Sequence, residues 1–162
     1  MRIEGSDAAL AALGEAASRI GAARPMFDEI GTRLVGSTQQ RFEDEAGPDG
    51  SPWPRSIRAQ FDGGKTLTDS KYLRKSFAHE AGDDRVAVGT TAVYAAIHQF
   101  GGTIRAKTAR GLRFRVAGGF VSKQSVTIPA RPFLGLSDTD ERLVLKIAAD
   151  HVARAFGGDD AG

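Results

Sequence analysis

Gly63-Gly64-Lys65-Thr66 is the segment of this 162-residue chain that comes nearest to a catalytic motif. It matches the end of a phosphate-binding loop, in which backbone amides wrap phosphates and a lysine meets their charge. That motif needs a glycine five positions before Gly64, where Ala59 stands instead, and no apolar strand precedes the loop. His79, His98 and His151 are far apart, without the HExxH spacing of a zinc protease. His98 with Ser125 or Asp84 would sketch a hydrolase triad, but the G-x-S-x-G elbow that exposes a serine nucleophile is missing. Glu43, Asp44 and Glu45 are successive on a helix end, so they point in different directions and do not pair as acid and base. Zero cysteines exclude disulfides, thiolate metal sites and a cysteine nucleophile. The expected catalytic, cofactor-binding and metal-ligating residues are therefore none, and the expected protein is not an enzyme.

Charge is the chemistry that remains. Lys+Arg 22 against Asp+Glu 20 gives a net charge of +2. The sequence pI of about 9.1 overstates this surplus, because few groups titrate between pH 7 and 9. The charges are unevenly placed. Residues 85–137 hold no Asp or Glu but eight basic residues: Arg85, Arg105, Lys107, Arg110, Arg113, Arg115, Lys123 and Arg131. The rest of the chain has 14 basic against 20 acidic residues, a balance of −6. Three readings compete for the basic stretch. It blocks edge-to-edge aggregation of an exposed hairpin, it meets phosphates with salt-sensitive affinity, or it meets acidic protein surface, including that of a second copy. Acidic groups near residues 43–49, 138–141 and 159–160 suit a head-to-tail ring.

The elements that position these charges follow from periodicity. Met1 to Gly5 suits a short strand. Ser6 and Asp7 offer a helix start before Leu10, Leu13, Ala17 and Ile20. Pro25 fits the first turn of a second helix carrying Phe27, Ile30, Leu34, Thr38 and Phe42 at helical intervals. GPDGSPWP, residues 47–54, excludes regular structure. Residues 72–77 and 85–88 read as strands with a turn at 79–84, and residues 91–100 as a short helix ended by Gly101-Gly102. Leu112, Phe114 and Val116 alternate with arginines, Gly118-Gly119 follow, and residues 120–128 return, which predicts a protruding β-hairpin. Pro129-Ala130-Arg131-Pro132 is a stiff link into a last helix, capped by Ser137 and Asp138 and bearing Leu143, Val144, Ile147, Ala148, Val152 and Phe156.

The sum is α+β: N-terminal helices, a small antiparallel sheet with an inserted short helix and a protruding β-hairpin, and a C-terminal helix. A single domain is expected over residues 1–157, with a disordered tail at 158–162. No run of about 18 apolar residues is present, so no membrane partner is expected. Tyr94, Ile97 and Phe100 read as core. Trp53 reads either as a lid over the core or as an interface anchor.

Several segments, in this order and spacing, resemble the phage virion morphogenesis (tail completion) family of Mu-like tailed phages. They are Phe42 with Gly47-Pro48-Asp49-Gly50-Ser51-Pro52-Trp53, then Leu67-Thr68, Val86-Ala87-Val88-Gly89-Thr90, Tyr94-Ala95-Ala96-Ile97-His98-Gln99-Phe100-Gly101-Gly102, and Ile128-Pro129-Ala130-Arg131-Pro132-Phe133-Leu134-Gly135. The resemblance covers about residues 42–150. It implies a non-enzymatic structural protein of the virion neck, assembled in the bacterial host cytoplasm. Such a protein completes the tail and joins it to the head as a homo-oligomeric ring, sixfold by analogy with tail terminators. The implied partners are a head connector or head-closure protein and a tail tube or tail terminator protein, close to packaged DNA, with no cofactor. The expected contact residues are Trp53, Arg105, Lys107, Arg110, Arg113, Arg115, Lys123 and Arg131. The expected fold-keeping motif residues are Pro48, Gly50, Tyr94, His98, Gln99, Phe100, Gly101, Gly102, Pro129, Pro132 and Phe133. The rival reading is a nucleic-acid-binding protein that uses the basic 103–131 hairpin.

Overall fold

A computed structural model of the chain describes residues 11–12, 14–16, 21, 23–116 and 119–156, and for Arg115 and Val116 the backbone alone. Its helices are α1 (Ala23–Asp44), α2 (Ile57–Phe61), α3 (Tyr72–Lys75), α4 (Ala95–Phe100) and α5 (Asp138–Phe156). Its strands are β1 (Phe77–Ala81), β2 (Val86–Thr90), β3 (Gly102–Arg105), β4 (Leu112–Val116), β5 (Gly119–Lys123) and β6 (Ser125–Ile128). The α+β expectation holds. Of the first expected helix, residues 11–12 and 14–16 are helical. The strand at 1–5, the helix start at Ser6 and Asp7, and the tail at 158–162 lie outside the described residues.

The chain divides into two compact units. The first comprises Met1–Ser37, Ala78–Gly89 and Leu136–Gly162, and the second Thr38–Phe77 and Thr90–Gly135. In the first unit the apolar stripes of α1 and α5 bury Ala23, Met26, Ile30, Val144, Ile147 and Ala148 together. Phe27, Leu34, Val86, Leu143 and Val152 pack around them. Burial of each large side chain contributes about 1.5–3 kcal/mol. Gly31 lets β1 approach α1, because a Cβ at that position would sit 2.3 Å from the His79 ring. His79 Nε2 then reaches Asp28 Oδ1 at 2.9 Å, and His151 Nε2 reaches Glu29 Oε2 at 2.8 Å. So His151 is a paired helix-face residue. α5 opens on a capping box. Ser137 Oγ accepts from Asp140 N at 3.1 Å, and Ser137 N donates to Asp140 Oδ2 at 2.9 Å.

In the second unit Phe133 is fully buried between Phe42, stacked at 5.5 Å, and Phe77, edge-on at 5.4 Å. Trp53 closes the cluster edge-on to Phe42 at 5.2 Å. Three local readings change here. Residues 72–75 are helical, and the strand begins only at Phe77. Lys71 takes φ 57 without a side-chain cap, so the turn geometry at that point wins over the apolar pattern. The return limb of the hairpin is also not one strand. β5 pairs with β4 from Leu112↔Lys123 to Val116↔Gly119, whereas β6 leaves to pair with β3 from Gly102↔Ile128 to Arg105↔Ser125. Gln124 marks the break: its carbonyl accepts from Ala106 N at 2.8 Å and its side chain donates to Ala109 O at 3.1 Å. Among the described residues the strands thus form three two-stranded ribbons, β1-β2, β3-β6 and β4-β5. Finally, Tyr94 and Phe100 are not core. Phe100 is 78% exposed and Tyr94 40%, because a six-residue helix has only one inward face, and Ala95 takes it.

Candidate assembly surface

The sequence motifs converge on one knot of backbone in the second unit. Gln99 is its centre. Its Oε1 accepts from Phe133 N and Leu134 N, both at 3.0 Å, while its Nε2 donates to Leu134 O at 3.0 Å. Arg131 N donates to His98 O at 2.7 Å, and the Arg131 guanidinium reaches Pro54 O at 2.7 Å. Trp53 Nε1 donates to Pro132 O at 2.9 Å. Arg41 Nη1 donates to Phe133 O at 2.6 Å and to Gly135 O at 2.9 Å. Gly101 takes φ 69, and a Cβ there would lie 2.8 Å from Ala130 N. Only glycine lets the end of α4 pass that close to the proline-rich link. Pro48 lies against Gly135. The exposed Gly50 turns the 47–51 loop with φ 77, and Gly47 N donates to Ser51 O at 2.9 Å. Asp49 accepts from both the amide and hydroxyl of Ser51, which holds its carboxyl below the usual range.

These bonds decide between readings of several residues. Trp53 is 5% exposed and acts as the lid over the aromatic cluster, not as a free anchor on the monomer surface. Arg131 is buried and turned inward. Lys65 of the Gly63-Gly64 loop binds Glu43 at its carbonyl (2.8 Å) and carboxylate (2.5 Å), and Arg74 pairs with the same Glu43. Thr66 is buried, and its amide donates to Glu45 Oε1 at 2.7 Å. Burial raises the Glu45 pKa, but the Thr66 hydrogen bonds with the Arg55 and Lys65 charges outweigh it, for a net lowering. The phosphate-loop lookalike is thus a clasp between loop and helix. Among the described residues no cluster of His, Asp and Glu is arranged to hold a metal ion. Among the described residues His98 Nδ1, which is buried, has no hydrogen-bond partner. Burial, then the Arg131 charge, lowers the His98 pKa.

The surface features lie elsewhere on the same unit. Arg105, Lys107, Arg110, Arg113 and Lys123 are all exposed. The Arg113 guanidinium lies over the Phe120 ring at 4.9 Å, and the loop carrying Lys107 and Arg110 is pinned by Ser122 Oγ to Arg110 O at 2.8 Å. The Arg115 side chain lies outside the described residues. Beside this ribbon opens a groove of about 580 Å³. Ile57, Ile104, Leu112, Phe114, Val126 and Ile128 give it an apolar floor, and Arg55 and Arg113 line it as well. Pro129 borders it, while Gly102, with φ 146, starts the β3 ribbon. The groove is missing from the sequence reading because it is built by the β3–β6 pairing. The β-branched Thr103-Ile104 pair is the local signal for β3.

The two compact units also separate charge. Counted over their full sequences, the second unit holds 14 basic and 6 acidic residues, and the first 8 basic and 14 acidic. The balances are +8 and −6. The uneven charge along the chain is therefore uneven charge between folded units.

Residues 5–153 match the sequence model of the phage virion morphogenesis family. The chain is 33% identical over 127 residues to Mu-like prophage FluMu G protein 2 of Haemophilus influenzae, covering 78% of this chain and 76% of that protein. It is also 33% identical over 132 residues to the putative capsid assembly protein G of Escherichia phage Mu, covering 76% of this chain and 75% of that protein. No solved structure matches.

Proposed function

The chain belongs to the phage virion morphogenesis family, a family of structural or assembly proteins, and on that premise we propose that it is a non-enzymatic component of the virion neck. In this reading it completes the tail and joins it to the head as a homo-oligomeric ring of this chain, in contact with a head connector or head-closure protein on one side and a tail tube or tail terminator protein on the other. The observation that carries the reading is the division of the molecule into a +8 unit and a −6 unit. Identical copies with opposed charges on two units attract head to tail, and a head-to-tail contact that closes makes a ring. The inward hydrogen bonding of the motif residues supports it as well, because those residues build a rigid body and offer no reactive group. Among the described residues no helix is long and apolar enough to cross a membrane.

Electron microscopy of particles from a phage lacking the gene tests this. Filled heads and separate or defective tails are expected, and normally joined, infectious particles would overturn it. A second reading, nucleic-acid binding by the 103–131 hairpin, rests on its exposed basic residues. A gel-shift titration separates the two, since tight DNA binding with a steep salt slope favours the second.

A further inference from the structure

We infer that the apolar groove beside β4 is a socket for a second copy of this chain, and that it receives the neighbour's residues 136–141, the turn into α5 and its first four residues. The inference rests on the oligomeric reading above and assigns it a contact. The groove's floor is too apolar to be left in water at no cost. Ile57 is 53% exposed and Ile104 41%, side by side with Leu112 and Phe114. Contiguous apolar surface of this kind marks an interaction site. Of the arginines that line it, Arg131 is turned inward to Pro54 O, and Arg55 and Arg113 define what else the occupant carries: an apolar side chain next to carboxylates.

The acidic unit presents that combination. Leu136 is 44% exposed at the foot of α5. Asp138, two residues on, is exposed, and Glu141 stands one turn later, half-buried. Asp140 is taken up in the capping box with Ser137 and keeps the turn rigid. The contact pairs the −6 unit of one copy with the +8 unit of the next, so each copy offers one plug and one socket. Such a heterologous contact propagates around a ring.

The chain has no cysteine, so engineered thiols report without background. A tagged Ile104→Cys protein is mixed with an untagged Leu136→Cys protein, and in parallel with a Val93→Cys protein whose thiol is fully exposed on the basic unit. A short bis-maleimide then links thiols within reach. The expected result is at least tenfold more tagged-to-untagged cross-link with Leu136→Cys than with Val93→Cys. Arg55→Glu with Arg113→Glu in the tagged protein should abolish the preference, and Asp138→Arg with Glu141→Arg in the untagged protein should restore it. Circular dichroism melts verify that each variant is folded, and the charge-swap rescue separates lost contact from lost fold. Equal yields for the two untagged thiols, no cross-link, or charge reversal without rescue would each overturn the socket. If the socket fails while gene deletion still leaves heads and tails unjoined, the assembly role stands without this contact. If the socket holds while deletion particles join normally, the neck reading falls and self-association remains.

Discussion

Gln99 shows how a motif that looks chemical can be wholly structural. One primary amide satisfies two N–H groups and one carbonyl of a proline-interrupted segment that cannot pair with itself. Gln99→Leu leaves those three backbone groups without partners and should cost about 2–3 kcal/mol in urea unfolding, given 1–3 kcal/mol for an unsatisfied buried group. A loss under about 0.5 kcal/mol would contradict this role. His98, its neighbour, predicts a pH effect. Burial, then Arg131, holds its folded pKa below the ordinary 6.5. The unfolded chain therefore takes up the proton first as pH falls. The stability present above pH 6.5 is lost from about that pH down to the lowered folded value. Stability of the natural protein should thus fall more steeply between pH 7.5 and 5 than that of His98→Gln, and parallel curves would refute it. At this scale the sequence says which residues matter but not how. The spacing of Gln99 and Phe133 is visible in the chain, whereas the hydrogen bonds across 34 residues are not.

Elements were legible where one period ran long enough. α1 keeps Ile30, Thr38 and Phe42 buried at the predicted intervals, and α5 buries Val144, Ile147 and Ala148. Short segments were not. The alternation at residues 126–128 is the same for a hairpin's return strand and for a strand that pairs with β3, and only the tie from Gln124 to the 106–109 loop separates them. Trp53 could not be assigned from sequence for a similar reason, since a proline-rich loop that folds inward looks like one that faces out. Arg113 and Lys123 of the β4–β5 ribbon and Lys107 and Arg110 of the loop before β4 are exposed, and this surface predicts a salt effect. Lys107→Glu with Arg110→Glu should weaken self-association at least fivefold near 50 mM salt, measured by analytical ultracentrifugation. The difference from the natural protein should narrow towards 1 M salt, where the screening length is about 3 Å. An equal association constant at low salt would return these residues to the aggregation-blocking role.

For the whole molecule, a net charge of +2 conceals units of +8 and −6. The linear charge map showed the imbalance because residues 90–135, one of the second unit's two segments, are contiguous. It could not show that residues 38–77 join them or that residues 78–89 do not. With no cysteine in the chain, no disulfide can hold an assembly together. The most direct measurement is cryo-electron microscopy of intact particles carrying a fused density marker on this subunit. The account predicts a ring of marker density in the neck, between the head connector and the tail tube. Marker density spread over the capsid shell, or absent from the finished particle, would contradict it.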